Sequence, residues 1–341
     1  MNRSFYPVPS TMLSAVATAI CRCGIAYLLL AIVCLSAASP VTAQSPIRET
    51  SPGQEPITPV PAPRAQDPQR LSLGERLFSD RRLSHGNTHS CLSCHDIGSN
   101  GASANAHDSP EGQPAALNTP TVFNASLSFR LNWEGNIRSL EEGVERSLSN
   151  PAIMASSLDE VVSKLRADPE MVKQFREAYG REPNAAAILD AIATYERSLV
   201  TPGSRFDRWL ASEAGAITPE ELSGYQLFKS LGCITCHQGV NVGGNMFQRH
   251  GIFHPLGSTE PVMLRVPSLR NVATTAPYFH DGSAATLSDA VKSMGIAQLD
   301  RVLNDQQIST IVAFLNTLTG TYRGKEVRSA TAAPRTGSMH P

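Results

Sequence analysis

The sequence of 341 residues predicts a mainly α-helical protein built from two similar domains with long irregular loops. Three observations predict this fold. A C-x-x-C-H motif occurs at 91–95 and again at 233–237. A G-x-x-L-F segment precedes each motif, at 74–78 and at 224–228. Elsewhere, apolar residues recur at three- and four-residue spacing, which is typical of helices that bury one face.

Each C-x-x-C-H motif predicts the attachment of one c-type haem. Its two thiols can form thioethers with both vinyl groups of one porphyrin, and the adjacent histidine supplies an axial nitrogen to the iron. The motif residues are Cys91, Cys94, His95, Cys233, Cys236 and His237. We therefore expect two cytochrome-c-like domains, each binding one covalent haem c.

A structural zinc site and a redox dithiol fit the two motifs less well than haem attachment does. A structural zinc site needs a second pair of ligands close by, and neither motif has one. A thioredoxin-like dithiol needs no trailing histidine and lies in a βαβ unit, for which the strand signals are too sparse.

The N-terminal segment 1–43 resembles a cleavable export signal. Arg3 and Arg22 give it basic character, 25–38 is a short apolar run, and 41–43 ends in a small-residue cleavage pattern. The apolar run is short for a membrane-spanning helix, although an uncleaved signal anchor stays open as an alternative. We therefore expect a soluble, periplasmic mature protein.

Composition divides the rest of the chain. Residues 44–68 are rich in proline and are predicted to be a linker, and residues 323–341 are predicted to be a disordered tail. Between them we expect an N-terminal cytochrome c domain at 69–210 and a C-terminal one at 211–322. Removing the two arginines of the signal from 29 basic residues leaves 27, against 30 acidic residues. This near-neutral balance argues against nucleic acid as a partner.

Several helices have clear sequence signals. Thr218-Pro219-Glu220-Glu221 resembles a capping box with proline at the first helical position, and therefore predicts a helix start. Apolar spacing predicts further helices at 158–165, at 171–179, at 185–199 and at 308–318, the last of them stopping at Gly320.

Longer motifs extend this interpretation from Leu71 to Gly320. They are Asn118-Thr119-Pro120-Thr121-Val122, Asn132-Trp133-Glu134-Gly135, Val266-Pro267-Ser268-Leu269-Arg270-Asn271, Ala276-Pro277-Tyr278-Phe279-His280-Asp281-Gly282 and Met294-Gly295. With the two haem motifs, they resemble the bacterial di-haem cytochrome c peroxidase family, which includes the MauG-like enzymes that oxidise a partner protein. The resemblance implies one peroxidatic haem and one high-potential haem that accepts electrons from a small external donor.

The resemblance also assigns individual residues. It makes the second motif the electron-transfer site, with Met294 as the second axial ligand, and His/Met ligation does raise the potential of a c-type haem. Met294 could otherwise pack in the core, and Met246 and Met263 are rival ligands by composition. Trp133 corresponds to the family tryptophan between the haems, although a lone tryptophan also commonly serves packing, as we expect for Trp209.

A calcium ion between the domains is a further implication of the resemblance. Its ligands would be the side chain of Asn118 and the backbone carbonyls of Thr275 and Pro277, completed by waters. Such an oxygen-rich site with little charge suits calcium of modest affinity. The alternative is that these residues only shape a turn.

The surroundings of the first, peroxidatic haem depart from the family pattern. Cleavage of the O–O bond needs a group that moves a proton between the peroxide oxygens. The family has a glutamate where this chain has Ile153, and a glutamine where it has Gly143. Nearby alternatives are Glu141, Glu142 and Glu145, some of which would lie on a solvated helix face.

The histidines outside the motifs fall into three groups. His107 could be a distal ligand of the first iron, a substitute acid/base or an ordinary loop histidine. We expect His280 to order the interior around the second haem. His85 and His89 are expected at the surface, and His250 and His254 have no matching role in the family.

The leading hypothesis is a periplasmic oxidoreductase that reduces hydrogen peroxide to water. Electrons would enter from a small cytochrome or cupredoxin at the second haem and pass by way of Trp133 to the first. Two alternatives stay open, a MauG-like oxidase acting on a docked protein and a two-haem electron carrier without peroxidase activity. Met294 favours the peroxidase, because the archetypal MauG-like enzyme has a tyrosine ligand, whereas Ile153 favours the alternatives. A homodimer also stays open.

Overall fold

The computed structural model describes residues 55–103, 117–256 and 262–330. In these ranges the structure is mainly helical. The helices are α1 (Pro68–Phe78), α2 (Cys91–Cys94), α3 (Leu140–Ser149), α4 (Leu158–Arg166), α5 (Pro169–Tyr179), α6 (Ala185–Ser198), α7 (Arg205–Leu210), α8 (Pro219–Ser230), α9 (Leu287–Leu299) and α10 (Asp305–Asn316). Two short antiparallel pairs complete the regular structure, β1 (Phe247–Arg249) with β2 (Met263–Arg265) and β3 (Thr321–Tyr322) with β4 (Lys325–Glu326). None of the described helices is long and apolar enough to cross a bilayer.

The repeated G-x-x-L-F segment marks a helix crossing in each half of the molecule. A Cβ at Gly74 of α1 would lie 2.0 Å from the carbonyl oxygen of Ala191 in α6, and a Cβ at Gly224 of α8 would lie 2.0 Å from that of Thr310 in α10. Only glycine allows the two backbones to approach this closely. The leucine and phenylalanine that follow each glycine help to form two apolar cores, one in each half of the chain.

The local sequence signals predict the helix starts well. Thr218 caps α8 through a capping box with Glu221, as expected. The helices α4, α5 and α6 lie at the predicted positions. The last predicted helix begins and ends earlier than expected, since α10 spans Asp305–Asn316. The chain then turns toward Gly320, where a Cβ would lie 2.0 Å from the carbonyl oxygen of Thr201.

An internal repeat that the sequence analysis missed joins the two halves. Asn124 and Asn271 both have a left-handed backbone, with φ of 61° and 60°, and each precedes a short 3-10 turn. Their side-chain amides both donate to the hydroxyl of Thr201, at 2.8 Å and 3.0 Å. Equivalent loops of the two domains therefore meet at one threonine.

The predicted linker is partly wrong, since residues 55–60 of it pack against the second half, whereas residues 61–68 are mostly exposed. Ile57 is 1% exposed in the core of the second half, and the backbone around it bonds to Gly239. Buried Glu55 accepts hydrogen bonds from Tyr225 at 2.6 Å and from Lys229 at 3.0 Å. Prolines exclude helix here, but an extended chain can still insert single apolar side chains into a neighbouring core.

The predicted disordered tail is also wrong for the residues up to 330. After the β3–β4 turn, Val327 is 4% exposed in the core of the first half. Arg323 forms a two-point ion pair with Glu75 of α1, with both N–O distances at 2.8 Å. The predicted export signal at 1–43 and the residues after 330 lie outside the described part of the chain.

Candidate active site

Both C-x-x-C-H motifs line one cavity of about 1180 Å³. The cavity is larger than the roughly 300–1,000 Å³ that a typical small-molecule pocket encloses. All the site residues that the sequence predicts within the described ranges also line it, namely Asn118, Trp133, Thr275, Pro277 and Met294. His107 lies outside the described residues.

The first motif is built by one helical turn. Ser90 begins α2 through a capping box with Ser93, and this turn presents both thiols to the cavity. The Nδ1 atom of His95 lies 3.2 Å from the carbonyl oxygen of Gly101, and burial lowers the pKa of its imidazole. A neutral ring that donates from Nδ1 leaves Nε2 free to bind a metal.

The second motif repeats this arrangement on a 3-10 turn, Cys233–Thr235. The Nδ1 atom of His237 lies 3.2 Å from the carbonyl oxygen of Val242, and burial lowers the pKa of His237 to about 4. In each motif the imidazole also hydrogen-bonds to a second backbone carbonyl, that of Pro120 for His95 and that of Pro267 for His237. The two histidines are therefore held alike.

The cysteines do not have the electrostatics of a redox dithiol. Burial raises the pKa of the Cys91 thiol to about 12 and that of Cys233 to about 11. A reactive dithiol instead lowers the pKa of its attacking thiol. Paired thiols, a ligating imidazole and a large cavity fit the covalent attachment of a haem at each motif.

Met294 lies on α9 and faces the cavity, whereas Met246 and Met263 are absent from the described lining. Met263 is 47% exposed. Of the three methionines that sequence composition made candidates, Met294 is thus the one placed beside the haem motifs. Its role as a ligand stays a prediction.

Trp133 lies where the two halves of the molecule meet. Its indole Nε1 donates to the carbonyl oxygen of Asn118 at 2.7 Å, and its own carbonyl accepts from the backbone N–H of Arg265 in β2 at 2.7 Å. Trp209, by contrast, packs with Phe206 at a ring-centroid distance of 5.3 Å, outside the cavity, as expected.

Two of the three predicted calcium ligands, Asn118 and Pro277, are in contact, and the third, Thr275, lines the same cavity. The side-chain nitrogen of Asn118 is 2.8 Å from the carbonyl oxygen of Pro277, and the amide oxygen of Asn118 is buried without a hydrogen-bond partner among the described residues. Amide nitrogen and oxygen are assigned from such contacts, so a half-turn of the amide places two oxygens side by side. This uncharged oxygen set is compatible with calcium of modest affinity.

One histidine contradicts its prediction, and another, for which none was made, has a defined contact. His89 is 6% exposed rather than on the surface, because its ring turns inward, lines the cavity and hydrogen-bonds to the carbonyl oxygen of Ile153. His250 packs its ring at right angles to that of His280, with centroids 4.1 Å apart, and burial beside His280 lowers the pKa of His250 to about 4. His85 pairs with Glu160 at the surface, as expected.

His280 and His254 also contact residues far from them in the sequence. The carbonyl oxygen of His280 accepts from the backbone N–H of Asn118 at 2.6 Å, so His280 connects to the residue that supports Trp133. His254 pairs with Asp300 at 2.9 Å, where both side chains are more than half exposed.

The glutamates that the sequence analysis offered as proton donors do not face the cavity. Glu141 pairs with Arg197, Glu142 pairs with Arg146 at 2.8 Å, and Glu145 is exposed. Glu196 of α6 lines the cavity instead, and burial together with the charge of Glu141 raises its pKa to about 8. The sequence analysis missed it, although a charged residue in a mostly buried helix was the available signal.

Comparisons with known proteins agree with this architecture. The di-haem cytochrome c peroxidase family model matches residues 68–215, and the cytochrome c family model matches residues 222–319. The cytochrome c551 peroxidase of Nitrosomonas europaea is 40% identical over 284 residues, covering 78% of this chain and 84% of that protein. The cytochrome c peroxidase Ccp of Escherichia coli is 37% identical over 79% of this chain, which spans 62% of that longer protein.

A solved structure extends the likeness to three dimensions. The crystal structure of a MauG-like protein associated with microbial copper homeostasis superposes with a TM-score of 0.67 at 26% sequence identity. The match covers 76% of this chain and 93% of that one.

Proposed function

Because this chain belongs to the di-haem cytochrome c peroxidase family, we propose that it reduces hydrogen peroxide with electrons from a small reduced cytochrome or cupredoxin. The observation that carries the proposal is that both haem motifs line one cavity, with Trp133 at the junction of the two halves. When bound, the two haems supply the sites where electrons are held and where the O–O bond is broken.

The second domain would hold the haem that accepts the electron from the small donor. Cys233 and Cys236 would attach the haem, and His237, neutral because it is buried, would bind from one side. Met294 would be the second protein ligand of this haem, and such His/Met ligation would raise its potential so that a small donor could reduce it. Trp133 would couple the two sites, with its indole fixed by the carbonyl of Asn118.

Residues of the first domain would handle the peroxide. Cys91, Cys94 and His95 would hold the reactive haem. Glu196 would hold a proton on its carboxyl at neutral pH, because its pKa is about 8. We propose that Glu196 supplies the proton for cleavage of the O–O bond, since the isoleucine at position 153 cannot transfer one. Of the three roles that the sequence leaves open for His107, we propose that of a distal group that caps this site at rest.

Two finer assignments follow the same reasoning. Asn118, Thr275 and Pro277 would hold one calcium ion. The support is that the amide oxygen of Asn118 is buried without a described partner, while its amide nitrogen lies 2.8 Å from the carbonyl oxygen of Pro277. The export-like segment at 1–43 supports a periplasmic location, which suits a covalent haem protein with a soluble donor.

The test is peroxide turnover by the half-reduced holoprotein with a reduced small cytochrome as donor. We expect saturable oxidation of the donor, well above the rate with free haem. Turnover no faster than that with free haem would overturn the proposal and leave a two-haem electron carrier.

A MauG-like oxidase of a protein substrate is the second candidate, and the loss of a carboxylate at Ile153 favours it. The likeness to a MauG-like structure agrees with this candidate. An oxidised state that forms with peroxide and decays only when a partner protein is added would support it. Rapid decay with the small donor alone would reject it.

A further inference from the structure

One mostly buried arginine of the cavity lining has no acidic partner among the described residues. Arg265 of β2 lines the cavity, and burial lowers the pKa of its guanidinium without a nearby carboxylate to offset the effect. Arg270, in the loop that follows, differs because Asp207 lies 2.8 Å from its guanidinium. A buried charge that lacks a partner destabilises a protein strongly. Arg265 therefore indicates an anion that the polypeptide itself does not supply.

Two backbone carbonyls fix the position of this guanidinium. The Nε atom of Arg265 donates to the carbonyl oxygen of Asn132 at 3.0 Å, and its backbone N–H donates to that of Trp133 at 2.7 Å. No hydrogen bond within the described ranges uses the two terminal nitrogens of the guanidinium. Together these nitrogens form a planar fork that matches the two oxygens of a carboxylate. The missing anion is therefore expected to be a carboxylate.

The other charged side chains of the described lining are accounted for elsewhere. Arg146 forms an ion pair within its own helix, α3, and Arg249 is exposed. Glu196 lies beside Cys91, and the charges that act on it belong to Glu141 and Arg197. Arg265 is thus the buried cation of this lining that lacks a counter-ion.

The surroundings of Arg265 associate it with the second haem motif. A Cβ at Gly244 would lie 3.5 Å from its terminal nitrogen Nη1, and a Cβ at the preceding Gly243 would lie 3.3 Å from Nδ1 of His237. The backbone N–H of Gly244 donates to the carbonyl oxygen of Val266 at 2.7 Å. The loop after the second motif therefore connects the axial histidine to the guanidinium.

We propose that Arg265 is the counter-ion of a propionate of the haem attached at the second motif. The cavity must hold the carboxylates of two haems, and Arg265 presents a matching fork to it. A positive charge beside the propionate favours the reduced iron, because reduction lowers the charge of the haem. This consequence rests on the proposed function, in which the second haem accepts the electron from the donor.

The test measures the midpoint potentials of both haems in the holoprotein by spectroelectrochemistry. Arg265→Gln should favour the oxidised second haem by about tenfold, which lowers its potential by about 59 mV, because its propionate loses its counter-ion. The first haem should shift much less. Arg265→Lys keeps the charge and should recover at least half of the shift. Arg301→Gln, exposed and outside the described lining, is the control and should change neither potential.

Resonance Raman spectroscopy tests the contact itself. The propionate bending bands of the second haem should shift in Arg265→Gln and also in Arg265→Lys, since lysine replaces a two-point contact by a single one. If Arg265→Gln does not retain its haems, Arg265→Lys alone decides the question. Unchanged propionate bands overturn the inference, even with a lowered potential, because Arg265 would then act through the fold or through a solvent anion.

Both measurements are independent of peroxide turnover. Shifts in the potential and in the propionate bands, together with turnover no faster than that of free haem, would overturn the proposed function and support this inference. Turnover of peroxide without either shift would overturn this inference alone.

Discussion

Compared side by side, the two haem-attachment sites hold their histidines alike and differ in the residues that accompany them. His95 and His237 each lie 3.2 Å from a backbone carbonyl oxygen. The cavity lining includes Met294 from the second half, whereas beside the first motif it includes Ile153 and Glu196. The difference teaches that the repeated fold holds the two motif histidines in the same way, and we propose that the other lining residues set the different roles of the two sites.

The largest expected effect comes from replacing Met294, the residue that distinguishes the second haem motif from the first. Met294→Leu should lower the midpoint potential of the second haem by roughly 100 mV or more, because axial ligands set haem potentials over a wide range. Spectroelectrochemistry measures this shift, and donor-linked turnover should fall about a hundredfold. Met263→Leu, exposed and outside the described lining, is the control. An unchanged potential would show that Met294 is not a ligand.

The next effect concerns the close helix crossing at a glycine that both halves contain. Gly224→Ala should destabilise the holoprotein by about 2 kcal/mol or more, because its Cβ would meet a backbone carbonyl oxygen at 2.0 Å. Gly143→Ala should instead stabilise it by about 0.5–1 kcal/mol, since the site is open and alanine favours helix. Urea unfolding measures both. Equal changes in the free energy of unfolding for the two variants would contradict the close helix crossing at Gly224.

A third change makes the first site more like the family pattern. Ile153→Glu should raise hydrogen peroxide turnover about tenfold or more, because it supplies an acid/base group beside the first motif. Steady-state kinetics with the same donor measures the change. An unchanged rate would indicate that another group, such as Glu196, already transfers the proton.

The smallest effect concerns the pH dependence of stability. The pKa of Glu196 is about 8 in the folded protein against an ordinary 4.5, so the folded state retains a proton that the unfolded state loses. Its contribution is therefore complete below pH 4.5 and is lost as the pH rises to about 8. Glu196→Gln should flatten this decline. Urea unfolding at pH 5 and pH 8 tests it, and an unaltered slope would refute the assignment.

Local signals explain how much the sequence could predict. The capping box at Thr218 and the haem motifs involve residues a few positions apart, so both can be read directly from the chain. Ile57 is buried by contacts with residues far along the chain, and His89 turns inward to reach Ile153. The proline-rich composition around Ile57 predicted a linker. Composition is a local property, so it could not show that Ile57 packs into a core formed by distant residues.

The candidate site shows the same division. Met294 and Trp133 were found by motif, and the structure brings both to one cavity. Glu196 was missed because its importance depends on the three-dimensional neighbours Cys91 and Glu141, not on its own segment. The roles of these residues stay predictions.

The two ends of the folded chain cross over between the domains. Ile57, which precedes the first domain, is buried in the core of the second, and Val327, which follows the second, is buried in the core of the first. Each core is thus completed by a residue from the opposite end of the sequence. During synthesis the first half leaves the ribosome before Val327 exists, so its core cannot be completed until the second half has also been made.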